Sequence, residues 1–131
     1  MLDNFNTNIN LMKNGLIGLW KRNEIIANNI SNADSSGYRA RDINFEEVLS
    51  REIDISKRND DYNMNIDESY KDVEFRIGEK EGLEIKANGN NVDIDREMVN
   101  LAENQMRYNL VSEVLKQQLN LLNQVIEETK G

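Results

Sequence analysis

Apolar residues open the chain at alternating intervals of three and four: Ile9, Met12, Leu16, Leu19, Ile26, Ile30 and Ala33, with Asn23 as the single polar member of the row. This spacing lines one side of a helix in the manner of a coiled-coil seam, and it predicts a helix from about residue 4 to residue 32. Asn23 has two readings: a polar seam residue that fixes register or partner number, or an Asn that reaches solvent at a loose spot. Gly15 and Gly18 each cost about 1 kcal/mol relative to Ala inside a helix. They either admit a second helix closely or leave the first turns only marginally helical.

The pattern stops at Asn32, Asp34, Ser35, Ser36 and Gly37. Short polar side chains compete there with the helical ladder, and Gly accepts positive φ without a steric cost. Tyr38 follows, with Arg39 and Arg41 around Ala40, as either a surface loop or a docking face. A short helix is expected over 44–49, with Asn44 as its N-cap. Residues 50–70 hold isolated apolar side chains among charges and read as a linker, or as a segment ordered by its partners.

Val73, Phe75 and Ile77 then alternate with polar residues, Gly78 to Gly82 forms a turn, and Leu83, Ile85 and Ala87 alternate again. That is the signature of a β-hairpin with one apolar face. After a second turn at 88–91, Asp93 or Asp95 is placed to cap a long C-terminal helix. Its seam reads Met98, Leu101, Gln105, Tyr108, Ser112, Leu115, Leu119, Leu122 and Ile126, and a second row of Leu110, Val111, Val114, Leu121 and Val125 widens the stripe.

The expected fold is therefore mainly α. Long N- and C-terminal helices pair as an antiparallel coiled coil, with a short central insert that contains a β-hairpin and irregular loops. Residues 1–34 and 93–131 form one helical core domain, and 35–92 the loop, linker and hairpin insert. Stripes this wide exceed what one partner helix covers, so association with further subunits is expected.

Composition narrows the chemistry. Of 131 residues, 38% are hydrophobic and 31% charged, too few and too many for a large private core. The net charge of −8 opposes nucleic acid and anionic membranes as partners. There is no Cys and no His, which removes thiolate and His-based catalysis, disulfides and the usual zinc sites. Asp61, Asn63 and Asn65 imitate the start of a calcium loop, but Ile66 stands where the loop needs Gly and Asp72 where it needs Glu. Carboxylate pairs such as Glu46/Glu47, Asp60/Asp61 and Glu127/Glu128 read as solvated faces. Asn29-Ile30-Ser31 matches a glycosylation sequon too short to be informative. The expectation is a protein that is not an enzyme and takes no metal or cofactor. No stretch reaches the roughly 20 apolar residues of a membrane span, and the first residues have neither the basic nor the apolar region of a cleaved signal peptide.

Two runs carry a family resemblance. Ala27-Asn28-Asn29-Ile30-Ser31-Asn32-Ala33-Asp34, continued by Gly37-Tyr38-Arg39-Ala40-Arg41-Asp42 and Phe45, resembles the N-terminal signature of the bacterial flagellar basal-body rod and hook family. Gly89-Asn90-Asn91-Val92-Asp93-Ile94-Asp95-Arg96-Glu97-Met98, with Leu101 to Gln105, is similar to the corresponding run in the family's proximal rod members. The resemblance covers roughly residues 1–49 and 88–127. Where the family usually has Thr-Pro before Gly-Tyr, this chain has Ser35-Ser36, which leaves φ at 36 unfixed and implies a looser turn.

The resemblance implies a structural subunit of the proximal rod. Its terminal helices would pack with their own copies, with other rod subunits and near the membrane ring and export gate, forming a tube that transmits torque around the export channel. It also implies export by the flagellar type III apparatus without a cleaved signal, with Phe5 and Ile9 fitting the spacing of an element that engages the export gate. The alternatives are another proximal rod subunit of the same family, or a cytosolic helical adaptor or export chaperone, for which the heptads alone would suffice. Secretion of a Phe5→Ala variant should fall well below that of the unaltered chain, and undiminished export would remove the gate element.

Overall fold

The computed structural model describes residues 2–44 and 75–131. Helix α1 spans Leu2–Ser31, strand β1 Arg41–Ile43, strand β2 Ile77–Glu79, and helix α2 Ile94–Lys130. The fold is mainly helical, as the heptads require: the two long helices pack against each other with a small antiparallel ribbon beside them. They run antiparallel, since Asn29 near the end of α1 meets Glu97 in the first turns of α2, while Leu19, earlier in α1, meets Asn104, later in α2.

The α1 row lies where the spacing puts it. Leu19, Ile26 and Ala33 are buried, and Ile9, Met12, Leu16, Asn23 and Ile30 are partly covered. Gly18 is buried too, so one of the two helix glycines sits on a covered face. Asp93 is the N-cap of α2: its backbone is extended and its carboxylate accepts from the Arg96 N–H at 3.2 Å. Asp95 and Glu97 then place acids in the first turn and Lys130 a base in the last, each sign matching the helix dipole.

Along α2 the seam differs from its sequence reading. Leu101, Tyr108, Leu115 and Leu122 are partly covered as expected, yet at the alternate positions the inward residues are Glu97, Asn104, Val111 and Gln118. Met98, Leu119 and Ile126, read from the heptad as seam positions, are 52%, 42% and 44% exposed. Polar anchoring explains the shift, because Glu97 and Asn104 hydrogen-bond to α1 and carry that side of α2 inward.

The ribbon also differs in its partner. β2 pairs with β1 in the register Arg41↔Glu79, Asp42↔Gly78 and Ile43↔Ile77, and Leu83, Ile85 and Ala87 form no strand. The alternation at 83–87 has another cause: Leu83 packs on a cluster of Ala33, Ala40 and Val92, while Ile85 faces outward. The short helix expected at 44–49, the linker at 50–70 and Val73 lie outside the described residues.

Among the described residues the buried apolar set is small: Leu19, Ile25, Ile26, Ala33, Ala40, Ile43 and Val92, all but Leu19 near the end of the pair where α1 finishes and α2 begins. Among the described residues, no helix is long and apolar enough to cross a membrane. Ile26 is fully enclosed, whereas Trp20, six residues earlier on the same helix, is 60% exposed. Ile26→Ala should therefore lower unfolding stability by about 2–4 kcal/mol, with Trp20→Ala within about 0.5 kcal/mol of the unaltered chain, both read by urea denaturation.

Candidate functional site, a buried polar joint

The two runs singled out in the sequence are distant in the chain and adjacent in space. At their meeting point Asn29 is fully buried. Its amide nitrogen donates to the Arg41 carbonyl at 2.8 Å and to a Glu97 carboxylate oxygen at 3.0 Å, and its oxygen accepts from the Arg41 N–H at 3.0 Å and the Tyr38 hydroxyl at 3.1 Å. Two donors and two acceptor sites are all that an Asn side chain offers. Asn29 therefore joins α1, the loop, the outer edge of β1 and α2 with none of its capacity left over.

Glu97 is 2% exposed and also receives a hydrogen bond from the Lys80 ammonium just after β2. A buried carboxylate is tolerable when it is paired and hydrogen-bonded, and both conditions hold. Lys80 is anchored in turn by its N–H, which donates to the Ala40 carbonyl at 2.8 Å. On the far side of the ribbon Arg22 grips Asp42 with two parallel bonds of 3.0 Å, which fixes β1 against α1.

The second run closes the turn. Asn90, fully buried, donates to the carbonyls of Asn32 and Ser35 at 2.8 and 2.7 Å, adding to the turn bonds that these carbonyls accept from the Ser35 and Tyr38 N–H groups, and accepts from the Val92 N–H. Asn91 accepts from the Ala40 N–H at 2.7 Å and donates its own N–H to the Tyr38 carbonyl. Gly37 and Gly89 both have positive φ, and a Cβ on Gly89 would meet the Gly37 Cα at 3.3 Å. Glycine at 89 thus meets both a conformational and a spatial demand.

The Ser36 hydroxyl donates to the Asn88 carbonyl at 3.1 Å, and the neighbouring Gly37 N–H donates to the same oxygen at 2.8 Å. Ile30 and Ala33 pack inward, whereas Ala27 and Asn28 are exposed on the outer side of α1. Val92 is enclosed, Asp93 caps α2, and Asp95 and Met98 face outward. Phe5 and Ile9 lie in the first turns of α1, partly covered and away from the joint. Asn23 and Asn104 each keep a buried carbonyl oxygen with no hydrogen-bond partner, so the oxygen of Asn23 does not reach water.

Asn104 stood in the sequence only as a member of the family run at 101–105, with no role read for it, and a seam drawn one residue earlier at alternate positions of α2 would have turned it inward. Nothing local marks Lys80. The polar groups around Asn29 and Glu97 are paired with one another, and no group of three or more acidic side chains among the described residues is placed to hold a metal ion.

No family model matches the chain. Individual proteins do match over nearly its whole length. The flagellar basal body rod protein FlgB of Bacillus subtilis is 32% identical over 123 residues, covering 93% of this chain and 95% of that protein. The FlgB proteins of Borrelia hermsii and Salmonella typhimurium are 33% and 28% identical, covering 94% and 97% of this chain and 98% of each relative. The chain belongs to the FlgB family of flagellar basal body rod proteins. It is accordingly a structural rod subunit, and the adaptor or chaperone alternative is not favoured.

The joint fixes how α1 leads into β1 and how β2 leads back to α2. Lys80→Met leaves the Glu97 charge buried with one partner fewer and should cost about 3–5 kcal/mol. Adding Glu97→Gln should restore a large part of it, as measured by urea unfolding of the single and double variants.

Proposed function

We propose that the chain builds the proximal part of the flagellar rod, its terminal helices packing with neighbouring subunits into the tube that transmits torque and surrounds the export channel. The carrying observation is the unclosed apolar surface of α2. Val99, Met106, Leu110, Leu121 and Val125 recur along one outer stripe of that helix and are each more than half exposed. A stripe of this kind marks an interaction surface, and family membership supplies its setting.

The work is mechanical rather than catalytic. The polar joint keeps the helix pair from opening at its outer end, and exposed stripes hand load from one subunit to the next. Its neighbours are its own copies, other rod subunits, and the membrane ring and export gate at the base. The subunit reaches that place through the flagellar type III apparatus without a cleaved signal, with Phe5 and Ile9 on the first turns of α1 as the element presented to the gate. A tagged chain returned to cells lacking their own copy should restore motility and be found by immunogold microscopy at the membrane-proximal end of purified rods. Retention in the cytoplasm of export-competent cells would overturn the reading.

A further inference from the structure

Two asparagines of the chain stand directly before glycine, Asn14 and Asn88. Such a pair carries a reaction of its own, and asparagine counts among the thermolabile residues. With no glycine side chain to hinder it, the glycine nitrogen gives up its proton to solvent and attacks the asparagine Cγ. A bond forms between that nitrogen and Cγ, the side-chain amide leaves as ammonia with a proton taken from solvent, and a five-membered imide remains. Water then adds to either ring carbonyl and reopens it. The product is aspartate, or an isoaspartate whose main chain runs through the former side chain and is one methylene longer.

The two pairs lie in different settings. Asn14 is inside α1, where the Gly15 N–H belongs to the helical ladder. Asn88 is exposed in the turn that leads to α2, and the groups that the reaction needs there are tied into the joint. The Gly89 N–H, whose nitrogen is the nucleophile, donates to the Lys86 carbonyl at 2.9 Å. The Asn88 side-chain oxygen accepts from the Asn90 N–H at 3.1 Å, which holds the carboxamide in place. The backbone carbonyl of Asn88 accepts from the Gly37 N–H and the Ser36 hydroxyl, and the Lys86 N–H closes the turn on the Asn90 carbonyl at 2.8 Å. Ring closure needs the Gly89 proton released and Asn88 rotated, so these bonds have to open first.

We propose that the Asn88–Gly89 pair is a site of self-modification that the closed joint holds off and the open chain releases. The two products differ in what the turn accepts. An aspartate at 88 keeps an oxygen for the Asn90 N–H and leaves the backbone unchanged. An isoaspartate lengthens the backbone between 88 and 89, where there is no slack: a Cβ on Gly89 would already meet the Gly37 Cα at 3.3 Å. The Asn88 carbonyl and the Gly89 N–H are also bound to partners on opposite sides, Gly37 and Lys86, which a longer link cannot serve together. A chain that stays open long enough to react in this way loses the turn that sets Asn90 and Asn91 against the end of α1, so the pair acts as a timer on the unfolded chain.

Peptide-mapping mass spectrometry of the full chain, aged at mildly alkaline pH in buffer and in denaturing urea, reads both sites at once. Asn88 should convert at least about tenfold more slowly in buffer, which corresponds to an opening free energy of about 1.4 kcal/mol or more. Equal rates at Asn88 in the two solvents would overturn the proposal. Asn90→Ala loosens the turn, and in buffer it should speed conversion of Asn88 several-fold while Asn14 reacts as in the unaltered chain. No change at Asn88, or an equal rise at both sites, counts against gating by the joint. The isoaspartyl form, made in urea, separated by chromatography and returned to buffer, should unfold at a lower urea concentration than an Asn88→Asp variant, which has the same charge on a backbone of ordinary length. Coincident unfolding curves would show that the turn accepts the longer backbone and would remove the timer.

Discussion

Asn29 and its buried hydrogen bonds hold together parts of the structure that apolar packing alone does not. The amide reaches a backbone carbonyl and N–H on β1, the Tyr38 hydroxyl in the loop and the Glu97 carboxylate on α2, all within 3.1 Å. With so few fully buried apolar side chains among the described residues, this part of the fold draws its specificity from polar geometry. Polar groups enclosed in a low-dielectric interior are strong when satisfied and costly when not, so a single arrangement of helix, loop and ribbon satisfies them together. Asn90 and Asn91 extend the same logic to the backbone of the turn that follows α1.

This division of labour suits a subunit of a larger body. The cohesive interactions are concentrated where α1 hands over to the loop, while the outer face of α2 and the Trp20 region of α1 stay apolar and open. One end of the pair is fixed by internal bonds, and the long shafts keep apolar side chains exposed. A rod that bears torque needs both: a joint whose angle does not drift, and surfaces that bury area only on assembly.

The comparison between pattern and structure is instructive at α2. Heptad reading found Leu101, Tyr108, Leu115 and Leu122, which are partly covered, but at the intervening positions it took Met98, Gln105, Leu119 and Ile126, which are exposed, and Ser112, which is partly covered beside Val111. Hydrophobic periodicity cannot see that a carboxylate at 97 and an amide at 104 have partners waiting on α1. The strand pairing failed for a related reason. Alternation at 83–87 resembles a hairpin arm, yet residues 77–79 found a stronger partner in 41–43, whose outer edge Asn29 already occupies.

The sequence by itself determined the two long helices, their antiparallel pairing, the turn at Gly37, an Asp cap at 93 or 95 and the surplus of apolar surface, because each follows from local periodicity, backbone freedom or side-chain capping. It also placed Asn29, Asn90, Asn91 and Glu97 within the runs that carry the family resemblance. Only the tertiary structure decided what those residues do. Asn29 against Glu97 spans 68 residues, and Lys80 against Glu97 crosses from ribbon to helix. Partners so far apart in the chain are chosen by the energy of enclosing several polar groups at once, which no local pattern records.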